Sequence, residues 1–343
     1  MKKRSINLDL IRTFAIFSVI SVHFFYNSGF YTEEIYGRQM MISITVRNFF
    51  MVCVPLFLLL TGYLMSNKQP NKKYFLNLSK VLTVYLIASI FCIMYKIIIL
   101  NQHMTFSHII GIILNYSGSD YAWYINMYIG LYLLIPYLNI IYKSLKNRKD
   151  KTILLLILIF STIAPSILNI KYQFIPNWWT GIYPITYYFI GSYIKEYNIK
   201  IKSFNCILMI LSVSLLLGSI SYYKSYGKIF EWGSYCNYNS LFVLIISVLI
   251  FVFLLNLKNI KVNLFTKIIS RISKVSLGMY LLSYIFDNFF YKILNSHITM
   301  QSRFVYMPII VLTVFVSSFI LSNVVEFIKN IIYKVLKRRE NYD

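Results

Sequence analysis

An all-α, polytopic membrane protein is the fold class this sequence predicts, and three observations predict it. Of 343 residues 58% are hydrophobic and only 13% charged, with a mean hydropathy of +0.63; a soluble domain of this size needs a more polar exterior. The apolar residues fall in runs of about 17 to 25, the length that crosses a bilayer as a helix. Lys and Arg number 34 against 11 Asp and Glu, a net charge of +23, and most of these cations lie between the runs or at their ends.

Taken in order, the first run is Leu10–Tyr26. It follows Lys2, Lys3 and Arg4 and no small-residue cleavage pattern comes after it, so it is expected to be a retained anchor helix and not a signal peptide. Next come Val46–Met65, Leu78–Leu100, Tyr121–Tyr142 and Thr152–Ile170. Trp178–Ile194, Phe204–Tyr223, Tyr238–Leu257, Val275–Leu294 and Phe304–Ile332 complete the set, about ten spanning helices in one integral-membrane domain over residues 1–343. The amphipathic piece Phe106–Asn115 is too short to span and is expected at the interface. The longest outer loops, Asn27–Thr45 and Asn101–Asp120, are too short to form a separate domain.

Ten spans put both termini on one side. Sorted by loop parity, 25 of the 34 cations fall on the side of the termini and 7 on the other, with Arg12 and Lys96 inside spans. The positive-inside rule therefore predicts cytoplasmic termini. A charge of +23 that would suggest nucleic acid in a soluble chain becomes a topology signal, and no nucleic-acid partner is expected.

Ionisable groups inside spans are costly and mark candidate sites. The first span carries Asp9, Arg12 and His23. Arg12 and His23 are separated by eleven residues, about 20° from whole turns and a rise of about 16 Å, so they share a face. An imidazole can take a proton from a hydroxyl and return it; a permanently charged guanidinium can hold a phosphate. The competing reading makes Asp9 and Arg12 a surface pair and His23 a hydrogen-bonding partner of a neighbouring helix. Ser276, Tyr280, Ser283 and Asp287 form a stripe on the ninth span. Asp287 is there either to orient His23 or to sit at the outer interface. Lys96 is expected to snorkel to the surface, Glu326 to pair between helices, and Asn126 to face a cavity. No metal-ligand spacing, P-loop or nucleophile elbow occurs, so no metal is expected. Cys53, Cys92 and Cys206 fall within or at the ends of spans and only Cys236 lies in an outer loop, so no disulfide is expected.

Asn7-Leu8-Asp9-Leu10-Ile11-Arg12-Thr13-Phe14-Ala15, followed by Val22-His23, resembles the first-helix pattern of the acyltransferase family 3 membrane proteins. Arg47 and then Val54-Pro55-Leu56-Phe57 through Thr61-Gly62-Tyr63 is similar to the second, and Trp123-Tyr124-Ile125-Asn126 through Ile135-Pro136 to the fourth. Tyr187-Tyr188-Phe189-Ile190-Gly191 and Ser276-Leu277-Gly278-Met279-Tyr280-Leu281 are similar to two later ones, so the likeness runs from about residue 5 to 330. Two departures stand out. Asn77 and Lys80, with Val84-Tyr85, occupy the place of a basic pair followed by Pro-Tyr, and Ser283 stands where the family has a second histidine.

The resemblance implies a ten-helix enzyme of the bacterial cytoplasmic membrane. It would move an acyl group, usually acetyl from cytoplasmic acetyl-CoA, to a hydroxyl of a capsular, exopolysaccharide or cell-wall glycan or its lipid-linked precursor. On that reading His23 is the general base with Asp287 as its orienter, direct transfer and an acyl-histidine relay both fit, and Arg12, Lys72, Lys73 and Lys80 receive the CoA phosphates. Arg47, Trp123, Tyr124 and Asn126 line the acceptor side. The competing class is a glycan exporter, flippase or polymerase-like protein, which would change the amount of surface polymer and not its acyl content.

Overall fold

The computed structural model describes residues 5–169, 171–258 and 263–339, and these form an all-α bundle. In order the helices are α1 (Ile6–Asn27), α2 (Gly37–Phe50), α3 (Cys53–Met65), α4 (Lys72–Leu76), α5 (Leu78–Ile98), α6 (Phe106–Leu114), α7 (Trp123–Ser144) and α8 (Arg148–Thr162). They continue as α9 (Pro165–Leu168), α10 (Tyr183–Tyr197), α11 (Ser203–Ser225), α12 (Leu241–Leu255), α13 (Leu264–His297), α14 (Met300–Arg303) and α15 (Met307–Arg339). Among the described residues eight helical segments are long and apolar enough to cross a membrane. The chain is a multi-pass membrane protein. Of the ten expected spans, the two outside that set are α10, only 15 residues long, and α13, whose Lys267, Arg271, Lys274, Asp287, Asn288 and Lys292 lower its hydropathy.

Several boundaries differ from the sequence expectation, each for a local reason. The second span starts at Gly37, nine residues before Val46, so nearly half of the expected outer loop is helix. The helix then breaks at Met51–Val52. Pro55 cannot donate to the carbonyl four residues back, and its ring crowds that carbonyl, so the helix is interrupted there. α13 begins eleven residues before Val275 because Asn263 and Thr266 form a capping box; hydropathy reads only the apolar part of a helix that starts polar. α6 matches the expected amphipathic piece, with no buried residue and with Phe106 and Leu114 exposed.

The motif glycines set helix spacing. A Cβ on Gly62 would run into the backbone carbonyl of Tyr188, and one on Gly191 into that of Leu59, so α3 and α10 pack backbone to backbone. Pro136 inside α7 frees the carbonyl of Tyr132. The Tyr74 hydroxyl donates to that carbonyl at 2.6 Å, the Tyr132 hydroxyl donates back to the Tyr74 carbonyl at 2.8 Å, and the rings stack at 4.5 Å. The loosened turn thus becomes the dock for α4. Below it, Asn139 Nδ2 donates to the carbonyls of Met65 and Lys68, and the Tyr188 hydroxyl donates to its Oδ1 at 2.6 Å.

Candidate active site

α1 lies among α13, α3, α15, α12 and α2, and three polar side chains in its first turns hold it there. Asn7 Nδ2 donates to the carbonyls of Leu254, Leu255 and Leu257 at 2.9–3.0 Å, pairing groups at and just beyond the C-terminal end of α12. Asp9 is buried and accepts from the hydroxyls of Ser270 and Ser273, each at 2.7 Å. Arg12 Nη1 donates to Ser273 Oγ at 3.1 Å. The Asp-x-x-Arg pattern therefore ties α1 to α13 as well as placing a cation.

Two of the cavities along α1 hold its Arg12 and His23. Arg12 and Val19 are in the wall of one, of about 190 Å³, with Thr61, Tyr124, Tyr128 and Tyr280. Val22 and His23 are in the wall of the other, of about 480 Å³, with Tyr31, Asp120, Tyr121, Trp123, Trp232 and Tyr238. The first lies toward the N-terminal end of α1 and is called the near cavity; the second is the far cavity. Between them the Tyr280 hydroxyl donates to the Tyr121 carbonyl, and the Tyr124 and Tyr280 rings meet edge to face at 5.9 Å.

His23 lies where the far cavity meets α13. Its Nδ1 is buried and 3.3 Å from Asp287 Oδ2, close but not aligned as a hydrogen bond; catalytic contacts often tighten only when substrate is bound. Asp287 is fully buried. The Tyr121 hydroxyl donates to the same Oδ2 at 2.9 Å and accepts from Asn27 Nδ2 at 3.0 Å. The Tyr121 ring covers the imidazole with centroids 3.7 Å apart. A carboxylate facing Nδ1 favours the proton there and leaves Nε2 as the basic nitrogen. The fully buried Ser283, in the place of the family's histidine, only donates back to the Tyr280 carbonyl at 2.9 Å.

The structure brings some of the expected residues together and separates others. His23 and Trp123 both line the far cavity, Asp287 is buried against His23, and Arg12 lies in the near cavity. Tyr124, expected on the acceptor side, is in the wall of the near cavity, and Asn126 is on the exposed face of α7, in neither wall. Lys72 and Lys73 are exposed on α4 and absent from the Arg12 cavity. Lys80 donates to Asn77 Oδ1 at 2.7 Å and faces a groove of about 150 Å³ shared with Lys274, Glu326 and Lys329. Val81 and Leu277 line both that groove and the near cavity. Glu326 is the expected inter-helix partner: it takes Lys274 of α13 at 3.2 Å, and Lys329 one turn on.

Arg47 is fully buried and in neither cavity wall, so it cannot touch an acceptor there directly. Lys96 does not snorkel. It is 8% exposed, lies 5.0 Å from the centre of the Tyr284 ring, and pairs at 2.9 Å with Asp120, which opens onto the far cavity. Asp120 and Tyr121 were the residues sequence reasoning passed over. The usable signal was the lysine inside a span, because a cation at that depth calls for an acid.

Searches of curated proteins and of solved structures returned no match. A family model described as an acyltransferase domain matches residues 5–323, taking in both cavities, His23 and Asp287. The chain belongs to the acyltransferase family 3 membrane proteins.

Proposed function

We propose that this membrane acyltransferase transfers acetyl from cytoplasmic acetyl-CoA to a hydroxyl of a capsular, exopolysaccharide or cell-wall glycan in the bacterial cytoplasmic membrane, with His23 as general base. The observation that carries the reading is the His23–Asp287–Tyr121 cluster, whose His23 and Tyr121 line the far cavity while Asp287 is buried against them, with Arg12 in a second cavity eleven residues back along the same helix. The donor enters the near cavity from the cytoplasm with its anionic end at Arg12 and Lys80. The rise of about 16 Å from Arg12 to His23 suits an extended pantetheine arm. The acceptor enters the far cavity.

His23 Nε2 takes the proton from the acceptor hydroxyl as its oxygen attacks the thioester carbonyl. The C–S bond then breaks, and the imidazolium returns the proton to the departing thiolate, giving the ester and free thiol. Asp287 stabilises the imidazolium only while it exists, so its effect falls on the barrier more than on substrate binding. Tyr121 fixes the carboxylate and covers one face of the ring.

The test is ester content. His23→Ala should abolish O-acyl esters on the surface glycan, read by mass spectrometry, while the variant reaches the membrane at the wild-type level. Wild-type ester content in that variant refutes the assignment.

A further inference from the structure

The far cavity is walled by two aromatic pairs, one tilted and one stacked. Tyr31 and Trp232 lie with centroids 4.7 Å apart at 31°, and Trp123 and Tyr238 at 5.8 Å and 22°. Trp232 and Trp123 are 52% and 43% exposed, so each pair offers ring area to whatever occupies the cavity. The first pair belongs to two irregular segments. Tyr31 lies between α1 and α2, and Trp232 between α11 and α12. Only a few backbone contacts clip these segments together: Ile35 N–H donates to the Lys228 carbonyl at 3.0 Å and Gly227 N–H to the Ile35 carbonyl at 3.1 Å. Lys228 Nζ and Glu231 Oε2 lie 2.6 Å apart at the surface, and hydrogen bonding to Lys228 lowers the Glu231 carboxyl below its usual range.

Arg47 fixes the shelf from behind. Its guanidinium carbon lies 4.3 Å from the centre of the Trp232 ring, 4.9 Å from Phe230 and 6.0 Å from Tyr31. Nε donates to the Tyr31 hydroxyl at 3.1 Å, and Nη1 to the Cys236 carbonyl at 3.2 Å and to Asn48 Oδ1 at 2.8 Å. Asn48 in turn donates to Ser221 Oγ on α11 at 2.8 Å. No carboxylate pairs with Arg47 among the described residues, so aromatic faces and neutral oxygens compensate its charge. A planar guanidinium serves this arrangement, being able to stack while donating in plane; an ammonium cannot do both.

We infer that Arg47 is a positioning residue that holds Tyr31 and Trp232 as one of two aromatic shelves on which a ring with an apolar face and a hydroxylated edge, a pyranose of the acceptor, stacks. This rests on the acceptor reading above and goes beyond it in assigning the binding surface and the residue that shapes it. The shelf presents Trp232 to the cavity, and Arg47 acts through that ring without touching the acceptor.

The experiment measures equilibrium binding to the purified full chain in nanodiscs, without donor, by tryptophan fluorescence and calorimetry. The probe is the surface polysaccharide of the producing cells after mild base treatment, which leaves its hydroxyls free. Trp232→Ala should weaken binding roughly tenfold and Trp232→Phe much less. Arg47→Lys should weaken it to about the same extent as Trp232→Ala, and the double variant should be no weaker than either single one. Folded yield is followed by size exclusion, and Arg47→Met serves as the apolar control should Arg47→Lys not assemble. Failure of the wild type to bind, unchanged binding in Trp232→Ala, or additive losses in the double variant overturns the inference. The two readings separate cleanly: binding that depends on Trp232 with no ester formed removes the acyl-transfer proposal and leaves the shelf standing. Ester formation with binding indifferent to both residues does the reverse.

Discussion

Replacing Asp287 by asparagine tests the proposed chemistry at its most buried point. The carboxylate has no exposure and stands 3.3 Å from His23 Nδ1. At an effective dielectric of about 20, a full charge pair at that distance is worth ~5 kcal/mol. On the proposed mechanism the imidazole gains its charge as it takes the acceptor's proton, so this term belongs to the transition state and falls mainly on kcat. Not all of it is lost, because the amide still offers a dipole. If the amide oxygen faces Nδ1, the tautomer survives and only the charge is missing, a loss of about 10²-fold, at the low end for acid–base catalysis. If the amide nitrogen faces Nδ1, the proton moves to Nε2 and the base is gone, a loss of about 10⁴-fold as in a triad whose acid becomes an amide. The assay is ester formation by purified protein in proteoliposomes with labelled acyl-CoA, with KM followed separately for donor and acceptor. A kcat within about threefold of wild type, at equal folded protein, would show that the carboxylate only braces α13 against α1. A rise in either KM with kcat unchanged would also refute the argument.

Two structural predictions can be read from melting curves in detergent. Gly62→Ala places a methyl against the Tyr188 carbonyl, where backbone and not a flexible side chain must yield; a loss of about 1–3 kcal/mol and a lower Tm are expected, whereas Gly130→Ala, with open space at its Cβ, should leave Tm unchanged or slightly raised. Lys96 is nearly buried and Asp120 is 59% exposed at its side chain, so the two halves of that pair are unequal: Asp120→Asn strands an ammonium inside the bundle and should cost more, about 2–4 kcal/mol, than Lys96→Met, which leaves the carboxylate facing water. Equal losses would show that the pair contributes symmetrically, contrary to its burial.

The sequence made some of this legible because a helix repeats itself. The 3.6-residue period alone put Arg12 and His23 on one face of α1, and the same arithmetic set Tyr280 and Asp287 on one face of α13; both stripes line the cavities or the contact between those helices. Asp287 could be guessed as an orienter because its depth matched that of His23. Arg47 was misjudged for a different reason. Its partners Tyr31, Phe230, Trp232 and the Cys236 carbonyl come from two irregular segments almost 200 residues apart in sequence, and no periodicity reports a contact made by loops. Tyr124 and Asn126 show the limit from the other direction. Adjacent motif residues were expected on one surface, yet successive helical positions lie 100° apart, so Trp123 reaches the far cavity, Tyr124 the near one and Asn126 neither. Hydropathy hid the polar starts of α2 and α13 because it registers what is apolar and not what is helical.

A single helix serving both cavities has a consequence for how water is handled. Arg12 and Val19 face one chamber and Val22 and His23 the other, so the handover falls within one turn, at the level where the Tyr280 hydroxyl holds the Tyr121 carbonyl. Tyr121 is also the residue that covers the imidazole and donates to Asp287. The closure between the chambers and the orientation of the base therefore share one side chain and its own backbone. On the proposed function this arrangement counts against hydrolysis of the thioester. A thioester reaching from Arg12 to His23 would pass the level of the Tyr121–Tyr280 contact, so its arrival would bear on the groups that set His23. The base would then reach its working geometry with the donor in place and rest misaligned without it, in keeping with the 3.3 Å contact between Nδ1 and Asp287 that is close but not a hydrogen bond.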